Sequence, residues 1–249
     1  MGRLLGGSDG GYSLKSRIIV SFFTLVGSLI LVTGTLYEVQ SGQENPTMGQ
    51  NLFVGKVAVL PGQVRAKMRD SSWRPGCPVP LESLRLLTLG YWGEGHEAKR
   101  GHLVVHKELA EEVVDVFREL FAARFVVHRL GLASELGGDD GVLMEENVTS
   151  AFNCRPSTGK GGGFSIHSYG SAIDINPKWN PYVRGKLVLP HSGRSFVKRE
   201  SLPPGGILGE GLVVRAFGSR GWSWGGNWRS LKDYQHFEKR RFKRDRDER

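Results

Sequence analysis

The chain has 249 residues, 39% of them hydrophobic and 10% aromatic, enough to bury one substantial core, which excludes a disordered protein and leaves room for one domain or at most two. Its 35 glycines and 11 prolines argue against a helical bundle, whose helix interiors tolerate neither well, and favour a loop-rich domain containing sheet. The formal charge is +9; Arg3, Lys15 and Arg17 against Asp9 and Glu38 leave +1 in residues 1–38, so +8 lies beyond them.

Residues 18–36 carry no charge, are rich in Ile, Val, Leu and Phe, and follow directly on Lys15 and Arg17. As a helix this stretch spans roughly 28 Å, close to the roughly 30 Å hydrocarbon core of a bilayer. It reads as an export signal long enough to stay as a single transmembrane anchor over 18–37, with residues 1–17 cytoplasmic and the rest of the chain outside. Cleavage at the small-residue run Val32-Thr33-Gly34 is the alternative, and would give a secreted protein. Residues 38–51 are a polar linker with almost nothing to bury. The folded domain is expected over 52–238, followed by a charged tail over 239–249.

The two cysteines, Cys77 and Cys154, lie on the oxidising side of this topology. A disulfide between them and two buried thiols are both open readings. A zinc site built on them is not expected, because neither has a second cysteine at ligand spacing.

Within residues 107–124 the apolar Leu109, Val113, Val114, Phe117, Leu120 and Phe121 recur every three or four positions, predicting an amphipathic helix. Phe125-Val126-Val127 reads as a short strand. Gly137 to Gly141 reads as a loop in which Asp139 and Asp140 serve turn chemistry rather than a metal. Asn147-Val148-Thr149 matches a glycosylation acceptor, a pattern common by chance. Residues 159–163 are glycine-rich without Walker spacing and read as a rim loop. The alternation Ala172-Ile173-Asp174-Ile175-Asn176 before Pro177 predicts a strand with both isoleucines toward the core and Asp174 on the other face. Residues 212–217 fit helix or strand equally, and residues 221–228 read as a Gly/Trp-rich turn.

Four side chains form one chemical hypothesis. A catalytic zinc takes three ligands from His, Asp, Glu or Cys and keeps a position open, while a nearby carboxylate handles the proton of the attacking water. His167, Asp174, Asp233 and His236 supply two imidazoles and two acids. Fully extended, the six residues between His167 and Asp174 would separate the two by about 23 Å, so the chain must turn between them, and Gly170 supplies that turn. Asp233 cannot share a face with His236 on one continuous strand, which places it at a turn entering the strand that carries His236, with Tyr234 and Phe237 packing.

The run from Ser165 through His167 and Asp174 to Asn176, then Trp222-Ser223-Trp224-Gly225-Gly226, then Asp233-Tyr234-Gln235-His236-Phe237, resembles the VanY-type zinc peptidases over roughly residues 75–238. That family holds D-alanyl-D-alanine carboxypeptidases, dipeptidases and L-alanyl-D-glutamate endopeptidases. The resemblance implies an α+β domain whose small antiparallel sheet, packed with helices, carries Zn2+ on His167, Asp174 and His236. It implies Asp233 as general base and Arg155, before the first ligand, as the residue that steadies substrate and oxyanion. Ser165 is expected to hydrogen-bond substrate or to orient His167.

The expected function is zinc-dependent hydrolysis of an amide in peptidoglycan stem peptides, in the manner of a D-Ala-D-Ala carboxypeptidase. An L-Ala-D-Glu endopeptidase and a non-catalytic wall-binding domain are the alternatives. The Asp at position 233, where the dipeptidase branch has Glu, leaves the bond open. The basic surface suits anionic wall polymers. Nucleic acid is not expected, since Trp222 and Trp224 have too few cations beside them for a stacking platform.

Overall fold

The computed structural model describes residues 52–157 and 163–240. The expected anchor over 18–37 with its flanks, the glycine-rich residues 158–162 and the tail beyond residue 240 lie outside the described residues. Among the described residues no helix is long and apolar enough to cross a membrane.

The elements, in chain order, are strand β1 (Gly55–Val59), helix α1 (Gly62–Arg69), strands β2 (Leu84–Trp92) and β3 (Ala98–His106), helix α2 (Ala110–Ala122), strand β4 (Arg129–Leu130), helix α3 (Asp140–Glu145), and strands β5 (Val148–Thr149), β6 (Ala172–Asp174), β7 (Tyr182–Arg184) and β8 (Leu187–Leu189). Helix α4 (Leu212–Gly218) and strands β9 (Ser223–Trp224), β10 (Lys232–Asp233) and β11 (His236–Glu238) complete them. They form three antiparallel three-stranded sheets, ordered β1-β2-β3, β10-β7-β8 and β6-β11-β9, and a parallel pair β4-β5. The domain is therefore α+β, as the sequence predicts.

Sheet β1-β2-β3 is covered on both faces. Strand alternation sends Leu87, Leu89, Leu103 and Val105 to one side, where they meet Val113, Phe117 and Leu120 of α2. It sends Leu84 and Val104 to the other, against Met68, Leu132, Phe152 and Tyr169. Each such buried side chain contributes about 1.5–3 kcal/mol of transfer free energy. Helix α2 is the predicted amphipathic segment, entered through a 3-10 turn at Lys107–Leu109, with Glu111 and Glu112 favourably placed in its first turn.

The same core extends to the second half of the chain. Ile173, Ile175, Phe217, Trp224 and Phe237 belong to it, so one face of sheet β6-β11-β9 is anchored on α2 and α4. The other face is left for polar chemistry. Phe237 is fully buried, stacked 4.3 Å from Phe217.

Cys77 and Cys154 are joined in a disulfide with a Cα–Cα distance of 6.1 Å, which decides between the two readings of these residues. The bond ties the segment after α1 to the strand-like stretch before His167, across 77 positions of sequence.

Several local expectations change. Phe125-Val126-Val127 is not a strand: Val126 makes only an isolated parallel bridge to Trp92, and the strand falls later, at Arg129–Leu130. The 137–141 loop is shorter than expected, because Asp139 caps α3 by accepting from the backbone N–H groups of Gly141 and Val142. Residues 212–217 are helical, and the Gly/Trp-rich turn contains the two-residue strand β9. Asn147 is 2% exposed and its Oδ1 accepts from the backbone of Lys178, so the glycosylation pattern is buried.

Candidate metal centre

The site is built on register. Strands β6 and β11 pair antiparallel with Asp174 directly opposite His236 and Ile173 opposite Phe237. Because alternate side chains leave a sheet on opposite faces, the pairing that buries Ile173 and Phe237 in the core turns Asp174 and His236 together to the other side. Asp233 does not lie in β11. It sits in β10, paired with β7, and residues 234–235 bend the chain from one sheet into the other. The bend is pinned where the Ile175 N–H donates to the carbonyl of Gln235 at 3.0 Å.

His167 reaches the same place from a 3-10 helix, Ile166–Tyr169, just before β6. Ser165 caps that helix, its side chain accepting from the backbone N–H of His167. Gly170 ends it with φ of +67°, and a Cβ there would lie 2.6 Å from the backbone nitrogen of His106. The turn predicted between His167 and Asp174 thus needs a glycine twice over, for its left-handed backbone and for its closeness to β3.

The three side chains converge. His167 Nε2 lies 3.1 Å from Asp174 Oδ2, His236 Nδ1 lies 2.9 Å from Asp174 Oδ1, and the two nitrogens are 3.3 Å apart. Among the described residues these three form the one cluster of His, Cys, Asp or Glu that could hold a metal ion. Four-coordinate zinc with ligands at about 2.0–2.1 Å spaces its donors about 3.3–3.4 Å apart. The two imidazole nitrogens, 3.3 Å apart, have that spacing; with one oxygen of Asp174 the three donors lie within 4.8 Å of one another, and the donor set of two imidazoles and a carboxylate suits the same ion.

Tautomers follow from the outer contacts. His167 Nδ1 is 2.6 Å from the carbonyl oxygen of Ala151; it donates there, so Nε2 is the atom that faces Asp174 and, in the neutral ring, the one whose lone pair a metal would take. His236 presents Nδ1 to the cluster and turns Nε2 toward the carboxylate of Glu238.

Electrostatics match a cation site. Burial alone would raise the Asp174 carboxyl, but the charges and hydrogen bonds of His167 and His236 override it and hold the group far below the usual carboxylate range. Burial would lower the His236 imidazole, yet the hydrogen bonds it donates to Asp174 and Glu238 raise it to about 10. Without a metal, a proton on His236 compensates Asp174.

Asp233 behaves differently. Burial pushes its carboxyl up to about 7, aided by the charge of Asp174 and opposed by His236. Its Oδ1 is buried with no hydrogen-bond partner among the protein atoms. Gly225 makes room for it, since a Cβ there would lie 2.8 Å from the Asp233 Cβ. The ring of Trp228 stands 5.5 Å from that of His236 and forms a wall beside it.

Arg155 and Ser165 are near the site through backbone. The Arg155 carbonyl accepts from the N–H of Ser165 at 3.0 Å, and its own N–H donates to the Ser168 hydroxyl, so the chain around Arg155 is strapped to the helix of His167. Its guanidinium is 2.8 Å from Asp140 at the start of α3, and its contacts do not include the three clustered side chains. The Ser165 side chain meets the helix of His167 by capping it. Glu238 escaped the sequence reading, although it stands two residues past His236 on the same strand face.

No solved structure matches the chain. Residues 158–239, the segment that supplies His167, Asp174, Asp233 and His236, match the family model described as D-alanyl-D-alanine carboxypeptidase, and over this segment the likeness to that peptidase family is shown.

Proposed function

We propose that the chain is a zinc-dependent peptidase that hydrolyses an amide bond in peptidoglycan stem peptides, in the manner of a D-alanyl-D-alanine carboxypeptidase. The observation that carries this reading is the donor triangle of His167, Asp174 and His236 beside a second acid, Asp233, whose Oδ1 is buried and unpartnered. When bound, the ion supplies Lewis-acid polarisation of the scissile carbonyl and of the attacking water.

Each residue then has a task. His167, Asp174 and His236 hold the ion. Asp233 accepts the proton of the attacking water at Oδ1 and returns it to the leaving amine, a role for which a carboxyl raised toward neutrality is suited. Trp228 narrows the solvent side of His236. Arg155 binds the substrate carboxylate or the developing oxyanion, a contact worth on the order of 3 kcal/mol; this requires its guanidinium to exchange Asp140 for substrate.

We infer the physiological setting from the sequence. Residues 18–37 anchor the chain in the cell membrane with the peptidase domain, 52–238, outside the cytoplasm, and the net charge of +9 favours the anionic polymers of a wall. Incubating the purified protein with muropeptides and weighing the products tests the reaction. Loss of one terminal D-alanine supports the carboxypeptidase, an internal cut supports the endopeptidase, and intact substrate with a zinc-loaded protein supports a wall-binding domain.

A further inference from the structure

We propose that Glu238 is a positioning residue of the metal centre: its carboxylate holds the Nε2 proton of His236 and so fixes the tautomer that leaves Nδ1 free for the ion. This rests on the metal-peptidase reading above and adds to it a residue outside the ligand set.

The geometry is specific to one ring nitrogen. His236 Nδ1 faces Asp174 and His167, at 2.9 and 3.3 Å. Nε2 points the other way, 3.3 Å from Glu238 Oε2. A neutral imidazole carries a single N–H, and a buried one needs an acceptor. Strand alternation brings Glu238 to the face of His236 while Phe237 enters the core.

Burial separates this role from a bland one. Glu238 is 2% exposed, whereas Arg240, which reaches Glu238 Oε1 with Nε at 2.5 Å, has a side chain 66% exposed. An ion pair with so exposed a partner contributes little and does not offset the burial of a carboxylate. The other oxygen, Oε2, has His236 as its partner, whose side chain is itself 9% exposed. The two imidazoles are therefore held by different means: His167 by the backbone carbonyl of Ala151, which no side-chain substitution removes, and His236 by a side chain, which one substitution does.

The test uses the full-length protein in detergent with E238A and E238Q. Zinc affinity is read by competition with a chromophoric chelator, and the His236 tautomer by nitrogen-15 NMR of the zinc-loaded, histidine-labelled protein. The account expects E238A to lose about 10–100-fold in zinc affinity. E238Q, whose amide oxygen still accepts the proton, should lose less and keep its proton on Nε2. Wild-type zinc affinity in folded E238A overturns the proposal, as does a wild-type His236 protonated at Nδ1 when zinc is bound. Should E238A fail to fold, E238Q carries the test, and movement of its ring proton with unchanged affinity is the contrary result. Failure of the wild type itself to bind zinc would instead remove the metal-site reading, and the two failures are thereby distinct.

Discussion

Asp233→Asn separates metal binding from proton transfer. The amide keeps the volume of the carboxyl in the space that Gly225 leaves for it, so zinc should bind at one equivalent as in the wild type. The substitution removes the one acceptor assigned to the water proton, and positioned general bases contribute about 10²–10⁴ in rate, or roughly 2.7–5.4 kcal/mol of barrier. The assay is turnover of a stem pentapeptide followed by mass spectrometry, with zinc measured on the same sample. Stability offers a second readout. In the metal-free protein burial raises the folded carboxyl to about 7, against an ordinary aspartate value of 3.8. Between these values the folded state binds more protons than the unfolded one, so stability falls as pH rises from about 4 to 7, and the asparagine variant should lack that loss. Normal turnover by a zinc-replete Asp233→Asn protein would refute the assignment of the base.

Other outcomes follow from the same structure. Metal-free His236 holds a proton up to about pH 10, and that proton must leave when Nδ1 takes the ion, so apparent zinc affinity should rise about tenfold per pH unit between 6 and 8; dialysis showing a flat profile would contradict this. Replacing Cys77 and Cys154 by serine opens a loop of 77 positions and should cost roughly 4–5 kcal/mol on the chain-entropy estimate. Urea unfolding checks it, and an unchanged midpoint would show that the bond constrains nothing. Phe237→Ala removes a fully buried ring stacked 4.3 Å from Phe217 and should cost about 3–5 kcal/mol, with loss of zinc because the strand carrying His236 loosens; a loss below 1 kcal/mol would mean the core relaxes around the cavity.

The approach of His167 to Asp174 was legible because two local rules point the same way. Ile173 and Ile175 fix the parity of β6, which turns Asp174 to the polar face, and Gly170 permits the reversal that brings His167 alongside. The pairing of His236 with Asp174 was not legible, since β11 is three residues long and register between short strands depends on contacts remote in sequence. Asp233 was expected at a turn, but joins a second sheet through two residues of β10, too few to leave a periodic signal. The β2–β3 hairpin resists reading for the opposite reason: both faces are buried along much of its length, so apolar residues run together instead of alternating. Glu238 follows His236 by one strand period, yet only the structure tells which imidazole nitrogen faces the ligands and which needs an acceptor.

The most direct test of the central claim is X-ray absorption at the zinc edge of the loaded, full-length protein. The account predicts four light donors at about 2.0–2.1 Å, with the multiple-scattering signature of two imidazoles and no sulfur. A sulfur shell near 2.3 Å, or an all-oxygen environment, would contradict the centre formed by His167, Asp174 and His236.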